Sequence, residues 1–174
     1  RFPYAKIIGI EYLEKLLKKA VNDFPQIEFQ RGNVLDKSSV KQKYDVVTML
    51  GVLSIFDYYK TVIENVLDWL KPSGRLILHN MVSEFDIDIV IKYKRSSLDP
   101  DLSSLESGWN IISEKSLSLV ANANNSEVVS SKSFSLGVEL KKGPDVMRSW
   151  TENNTKGTLD IFNALHVRQP FKIV

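Results

Sequence analysis

The chain contains no cysteine, so disulfides and thiolate metal sites are excluded, a composition compatible with a cytoplasmic protein. Histidine is nearly absent too: His79 and His166 are the two in 174 residues, too few for a histidine metal cluster, and no metal site is expected. The formal net charge of +2 gives no argument for a nucleic-acid or anionic-membrane partner. No apolar run approaches the roughly 20 residues that a membrane-spanning helix needs. What is present is ordinary for one soluble globular domain: 43% hydrophobic and 25% charged residues.

The most informative feature is the pair formed by Lys6-Ile7-Ile8-Gly9-Ile10-Glu11 and, 22 residues after Glu11, Asn33 in Gly32-Asn33-Val34-Leu35-Asp36. A carboxylate closing one buried strand can accept from both hydroxyls of a ribose. A small polar residue closing the next strand can read the edge of an adenine. The spacing therefore points to a nucleotide-type cofactor. Glu11 alone would serve equally well as a strand-end acid capping the next helix, and Asn33 beside Gly32 as a turn residue.

Periodicity gives the elements. Ile7 to Ile10 reads as a buried strand, and Tyr12 to Asn22 as a helix with Leu13, Leu16, Leu17, Ala20 and Val21 on one face. Ile27 to Gln30 and Tyr44 to Leu50 read as strands, Tyr58 to Leu70 as a helix, and Arg75 to Leu78 as a fourth strand after Pro72-Ser73-Gly74. Alternation with short links predicts an α/β, Rossmann-like, mostly parallel twisted sheet with helices on both faces. Further on, Phe85 to Tyr93 alternates with period two, which predicts a half-exposed strand, and Ser113 caps a helix reaching Ala123. Strands over Glu127 to Leu136 and Phe171 to Val174 would form a terminal antiparallel pair.

With these pieces in order, the chain resembles the class I S-adenosylmethionine-dependent methyltransferases. The resemblance rests on Ile8-Gly9-Ile10-Glu11, on Gly32 to Asp36, on Tyr44 to Leu53, and on Leu70 to Leu78, and it covers about residues 5 to 80. Looser likenesses at Ser107-Gly108-Trp109-Asn110-Ile111, Ser149-Trp150-Thr151 and Asn163-Ala164-Leu165 are similar to small bacterial methyltransferases encoded with surface-polysaccharide genes. The resemblance implies a single methyltransferase-like domain over residues 1–174. Its cofactor-binding half would be residues 1–80 and its acceptor-pocket half residues 81–174. The family's first strand and glycine-rich loop are expected before Arg1. The resemblance implies S-adenosylmethionine as cofactor, with Glu11 on the ribose, Tyr12 against the adenine, Asn33 and Val34 at the adenine edge, and Leu50 and Gly51 near the methionine part. The acceptor would be a small molecule methylated on oxygen or nitrogen, such as a sugar or polysaccharide precursor.

For that acceptor, Ser54, Asn80, Trp109, Asn110, Trp150 and Thr151 fall where pocket residues belong, and His79 or His166 would supply a base for an oxygen acceptor. Each has a plainer reading: Ser54 as a helix cap, His79 as a structural strand-end histidine, the tryptophans as core. If the acceptor carries a diphosphate, Lys94, Arg95 or Arg148 could pair with it. A nicotinamide-dependent short-chain dehydrogenase is disfavoured, because no tyrosine has a lysine four residues on. The remaining alternative is a non-catalytic methyltransferase-like binding or dimerisation module. For that module, or for a homodimeric enzyme, the Phe85 to Tyr93 strand would pair edge to edge.

Overall fold

The computed structural model describes residues 4–98, 104–165 and 171–174. The chain divides into two compact units, Arg1–Val47 with Lys60–Leu76, and Thr48–Tyr59 with Ile77–Val174.

In the first unit, strand β1 (Ile8–Glu11), helix α1 (Glu14–Asp23) and strand β2 (Glu28–Arg31) form a β-α-β unit, so the two strands run parallel, with Ile8 opposite Glu28 and Glu11 opposite Arg31. Two ion pairs, Lys18 to Glu14 and Lys19 to Asp23, lie one turn apart along α1, and Pro25 follows its end. The beginning of strand β3 (Tyr44–Leu50), most of helix α2 (Tyr59–Asp68) and the beginning of strand β4 (Leu70–Ser83) complete the unit. Its core comes from α2 (Val62, Ile63 and Val66) together with Trp69 and Val40. Trp69 is tied in by its indole N–H, which donates to the Lys37 carbonyl at 3.0 Å, and by its own carbonyl, which accepts from Tyr44 N–H at 2.8 Å.

Two expectations are corrected here. The β1 segment was expected to be buried, but its residues are half-buried and Ile7 is 60% exposed. The stripe of α1 is present in the helix but not covered: Leu13, Leu16 and Val21 are exposed, and Leu17 and Ala20 only half-buried. A helical stripe is buried by a facing sheet, and β1–β2 is a two-stranded sheet of its own. Among the described residues β1 is paired only with β2 and β3 only with β4. Strand β3 keeps its expected bounds, yet only Met49 in it is buried.

Strand β4 starts earlier and ends later than expected. Its first turn carries Ser73 at φ +62° and Gly74, whose missing side chain lets the backbones approach: a Cβ there would lie 2.9 Å from the Lys71 carbonyl oxygen and 3.0 Å from that of Tyr44. Because both obstacles are backbone, Gly74→Ala should cost about 1–3 kcal/mol in urea denaturation. Unchanged stability would mean the two strands can separate freely at that point.

In the second unit, the end of β4 pairs antiparallel with β11 (Phe171–Ile173), and β11 pairs antiparallel with β8 (Lys132–Ser133). Strand β7 (Ile112–Ser113) runs parallel to the last residues of β4 and leads into α3 (Glu114–Ala123). Ser113 caps that helix by accepting from Ser116 N–H at 3.0 Å, and Leu117, Val120 and Ala121 face inward, as the pattern predicts. Leu53, Met81, Val82 and Ile112 form the centre of the core. Two short antiparallel pairs lie apart from this sheet: β5 (Lys92–Tyr93) with β6 (Glu106–Ser107), and the hairpin β9 (Trp150–Asn153) with β10 (Leu159–Phe162).

The Phe85 to Tyr93 strand is not formed as expected. Bends occupy its start, Ile89 makes an isolated bridge to Ile111, and only Lys92–Tyr93 is a strand, already paired with β6. Phe85, Ile87, Asp88 and Ile89 are all exposed, so the alternation does not separate a covered face from a wet one, and edge-to-edge pairing through this segment has no continuous ladder to use. The Glu127 to Leu136 strand shortens to Lys132–Ser133, and the β9–β10 hairpin lies between it and β11 in the chain.

Candidate functional site

The first unit places Glu11 and Asn33 at the same ends of adjacent parallel strands. Gly32 N–H donates to the Glu11 carbonyl at 3.1 Å, so the chain leaves β2 directly beside Glu11. Gly9 and Gly32 permit this approach: a Cβ on Gly9 would overlap the Phe29 ring at 2.3 Å, and one on Gly32 would lie 2.6 Å from Ile10 Cγ2. Glu11 Oε1 accepts from Leu13 N–H at 2.8 Å, which holds the start of α1. Asn33 Oδ1 accepts from Leu35 N–H at 3.0 Å, and Ser39 Oγ bridges the Asn33 N–H and carbonyl. The Val34 carbonyl accepts from the buried Asn65 side chain at 2.9 Å. Tyr12 is 54% exposed, with its ring available to a ligand. The plain structural roles of Glu11 and Asn33 are therefore real, and neither uses up the side chain.

In the second unit, the end of β3 turns at Gly51, which takes φ +71° and donates its N–H to the His79 carbonyl at 2.7 Å. Leu50 beside it is exposed. The next turn is tied through buried polar groups. Ser54 N–H donates to Asn80 Oδ1 at 3.0 Å, Asn80 Nδ2 donates to the Met81 carbonyl, and the Ser54 carbonyl accepts from Asn110 N–H at 2.9 Å. Asn110 also accepts from Ile91 N–H at 2.8 Å and donates to the Phe56 carbonyl at 3.1 Å. The structure thus brings Gly51, the His79 carbonyl, Ser54, Asn80 and Asn110 together, with Leu50 and Trp109 next to them in the chain. Trp150 and Thr151 belong to the β9–β10 hairpin, where Trp150 is buried under Lys142 and donates to Glu152 at 2.7 Å, and Thr151 Oγ1 accepts from Leu140 N–H.

His79 packs edge-on against Phe134, with ring centroids 4.7 Å apart. Partial burial lowers its pKa below the usual imidazole value. The unfolded chain then binds more protons than the folded one below about pH 6.5, so this group's contribution to stability falls as pH drops through that value and levels off below the folded pKa. An NMR titration of the His79 ring should give a midpoint below about 6.5; a midpoint above it would contradict the desolvated environment. His166, the other base candidate, lies outside the described residues. Arg95 pairs with Glu106 at 3.4 Å and Arg148 with Asp145 at 3.7 Å, so these cations already face carboxylates.

The sequence reading missed three residues of this end. Asp57 receives Lys92 and Ser107, and its carboxyl is held below the usual range chiefly by the Lys92 ammonium. Asp88 accepts from Ser113 N–H at 2.7 Å, from Ser116 Oγ at 2.8 Å and from Tyr59 Oη at 2.8 Å. Burial pushes the Asp88 carboxyl up, but these donors overcome it and the net shift is downward. Burial likewise raises the Tyr59 phenol. The one available signal was an acid well past an expected strand, Asp57 after Leu50 and Asp88 after Leu78, which in sequence is indistinguishable from a solvated surface acid.

A methyltransferase-domain family model matches residues 1–76. The demethylmenaquinone methyltransferase of Lactococcus lactis subsp. lactis (strain IL1403) is 32% identical over 80 residues, 43% of this chain and 32% of that protein. The chain thus spans about a third of the length of the curated relative it matches. A methyltransferase described as S-adenosylmethionine-dependent from Methanosarcina mazei is similar over 95% of this chain and 78% of its own, with TM-score 0.59 and 13% identity. The YcgJ protein of Bacillus subtilis is similar over 98% and 81%, with TM-score 0.58 and 12% identity. The magnesium protoporphyrin IX methyltransferase of Synechocystis PCC 6803, with bound S-adenosylhomocysteine, is similar over 76% and 59%, with TM-score 0.54 and 15% identity. At these identities the likeness to the solved structures establishes an α/β, Rossmann-like fold.

Proposed function

We propose that this chain acts as an S-adenosylmethionine-dependent methyltransferase on an oxygen or nitrogen of a small molecule. The observation that carries the reading is Glu11 and Asn33 at matching ends of adjacent parallel strands, in a stretch that matches a methyltransferase-domain family. Glu11 keeps one carboxylate oxygen beyond its bond to Leu13, and two ribose hydroxyls can donate to the carboxylate. Asn33 would donate its amide to the adenine edge, Val34 would offer backbone, and the exposed Tyr12 ring would cover the base.

When bound, the cofactor supplies an electrophilic methyl on a sulfonium. The protein's task is then to align acceptor, methyl carbon and sulfur and to exclude water. An amine acceptor needs little beyond desolvation, whereas a hydroxyl acceptor needs a base. His79, kept neutral near pH 7 by its lowered pKa, is in the right protonation state to take that proton.

The division into a cofactor-binding half, residues 1–80, and an acceptor half, residues 81–174, belongs to the same reading. Calorimetric titration of S-adenosylhomocysteine into the full-length natural protein tests all of this. Micromolar, one-to-one binding supports the enzyme. Absence of binding sinks it and leaves the non-catalytic methyltransferase-like module.

A further inference from the structure

We infer that Lys172 and Glu114 are positioning residues for His79, a clasp that holds β11 and β8 in the register that keeps Phe134 against the His79 ring; this rests on the reading of His79 as the base for a hydroxyl acceptor. Lys172 is 8% exposed, and among the described residues it is the one charged side chain that is buried. Its ammonium donates to Glu114 Oε1 at 2.5 Å and lies 3.3 Å from Glu84 Oε1. Glu114 is the first residue of α3, and the same Oε1 accepts from Ser131 Oγ at 2.8 Å, just before β8. One carboxylate oxygen thus ties the two strands that follow β4 in the sheet to the first turn of a helix. The Lys172 ammonium holds the Glu114 carboxyl below the usual carboxylate range, and Glu114 raises the Lys172 pKa in return, so both are charged near neutral pH.

The clasp reaches His79 through the sheet. Lys172 is the middle residue of the three in β11, opposite Asn80 of β4 on one side and Ser133 of β8 on the other. Ile173 stands opposite His79, and Leu78 and Val174 exchange both backbone hydrogen bonds, at 2.9 and 2.8 Å. Phe134 follows Ser133 and supplies the ring that packs edge-on against His79. Among the described residues β8 pairs with β11 and not directly with β4, so the cover on His79 depends on where β11 sits. Ile173 is 41% exposed and gives that strand little burial to fix its register. A slip of one residue would send Lys172 to the opposite face of the sheet, away from Glu84 and Glu114. A buried ion pair adds little net stability, because desolvating two charges offsets their attraction. What it adds here is position, since Lys172 meets its carboxylates in one register and not in its neighbours. The charged side chain in the same cross-strand row as His79 is the exposed Lys132, beyond Ile173.

The test is an NMR titration of the His79 ring, with amide exchange at Leu78 and Val174, in the whole chain and in Lys172→Met, Lys172→Arg and Glu114→Gln. Methionine keeps the apolar stem and removes the charge, and Lys132 is present in every variant. In Lys172→Met the His79 midpoint should rise toward about 6.5, the value of a solvated imidazole, and exchange at the two amides should quicken at least about tenfold. Glu114→Gln should move both readouts in the same direction, and it decides the matter alone should the methionine variant not fold. Lys172→Arg keeps a cation between the two carboxylates and should hold both readouts at the wild-type values. A His79 midpoint unchanged in the methionine and glutamine variants, or moved as far by arginine as by methionine, overturns the clasp. S-adenosylhomocysteine titrated into the wild-type chain reports the enzyme reading separately: its failure would remove the base role of His79 and leave the NMR results standing.

Discussion

Glu11→Ala is expected to weaken S-adenosylhomocysteine binding by about 2–3 kcal/mol, some 30- to 150-fold in Kd, in the full-length protein. The loss is large because a charged acceptor of two hydroxyl hydrogen bonds disappears while the ribose remains desolvated. The structure adds a complication that sequence alone does not resolve: Glu11 also holds the start of α1 through Leu13 N–H. Losing that bond should cost about 0.5–1.5 kcal/mol of fold stability. Glu11→Gln separates the two effects. Its amide oxygen can still accept from Leu13, so melting should barely change, but a neutral acceptor should leave binding about tenfold weaker than wild type. Should Glu11→Ala lower only the melting temperature and leave the calorimetric Kd untouched, Glu11 is a helix cap and the adenosine reading of this strand end fails.

Trp69→Ala should cost about 3–5 kcal/mol, a large share of the 5–15 kcal/mol that usually holds a domain folded. Trp69 is 4% exposed and stands in a unit whose buried apolar side chains otherwise come from Val40 and one face of α2. Its indole N–H bonds the Lys37 carbonyl, fixing the turn after Asn33, and its backbone carbonyl receives Tyr44 at the first residue of β3. The alanine variant would therefore leave a cavity and an unpaired carbonyl in a unit with little other core. Trp69→Phe keeps most of the volume and should lose only about 1–2 kcal/mol, mainly the hydrogen bond. Urea denaturation of the three proteins measures both steps. An alanine variant within about 1 kcal/mol of wild type would show that the site collapses around the deletion and that Trp69 is not the anchor described.

The local elements were the more legible. Strands Ile8–Glu11, Glu28–Arg31 and Tyr44–Leu50 lie where the apolar runs placed them, and Ser113 caps α3 as its sequence signals. Those signals are local: a β-branched run, a cap three residues from its amide, a proline after the last turn. Contacts between segments distant in the chain were less legible. Trp69, the strongest anchor of the first unit, carries no local mark that separates it from Trp109 or Trp150. Asp88 looked like the polar half of an alternating strand and is instead the acceptor for Tyr59, Ser113 and Ser116, partners up to 29 positions away.

By itself the sequence determined the order of strands and helices, the Glu11–Asn33 spacing and the exclusion of disulfide and thiolate chemistry, because each depends on residue type and on neighbours within a few positions. Only the tertiary structure decided which apolar faces are covered. The stripe of α1 is written in the sequence as plainly as that of α2, yet α2 fills the core while Leu13, Leu16 and Val21 remain in solvent. Periodicity fixes the direction of a face, but burial needs a partner across from it, and a one-dimensional pattern carries no record of what stands there. The strained Trp109 has the same origin: nothing between Gly108 and Asn110 demands a positive φ until Ser54, Phe56 and Ile91, brought in from elsewhere in the chain, hold Asn110 in place.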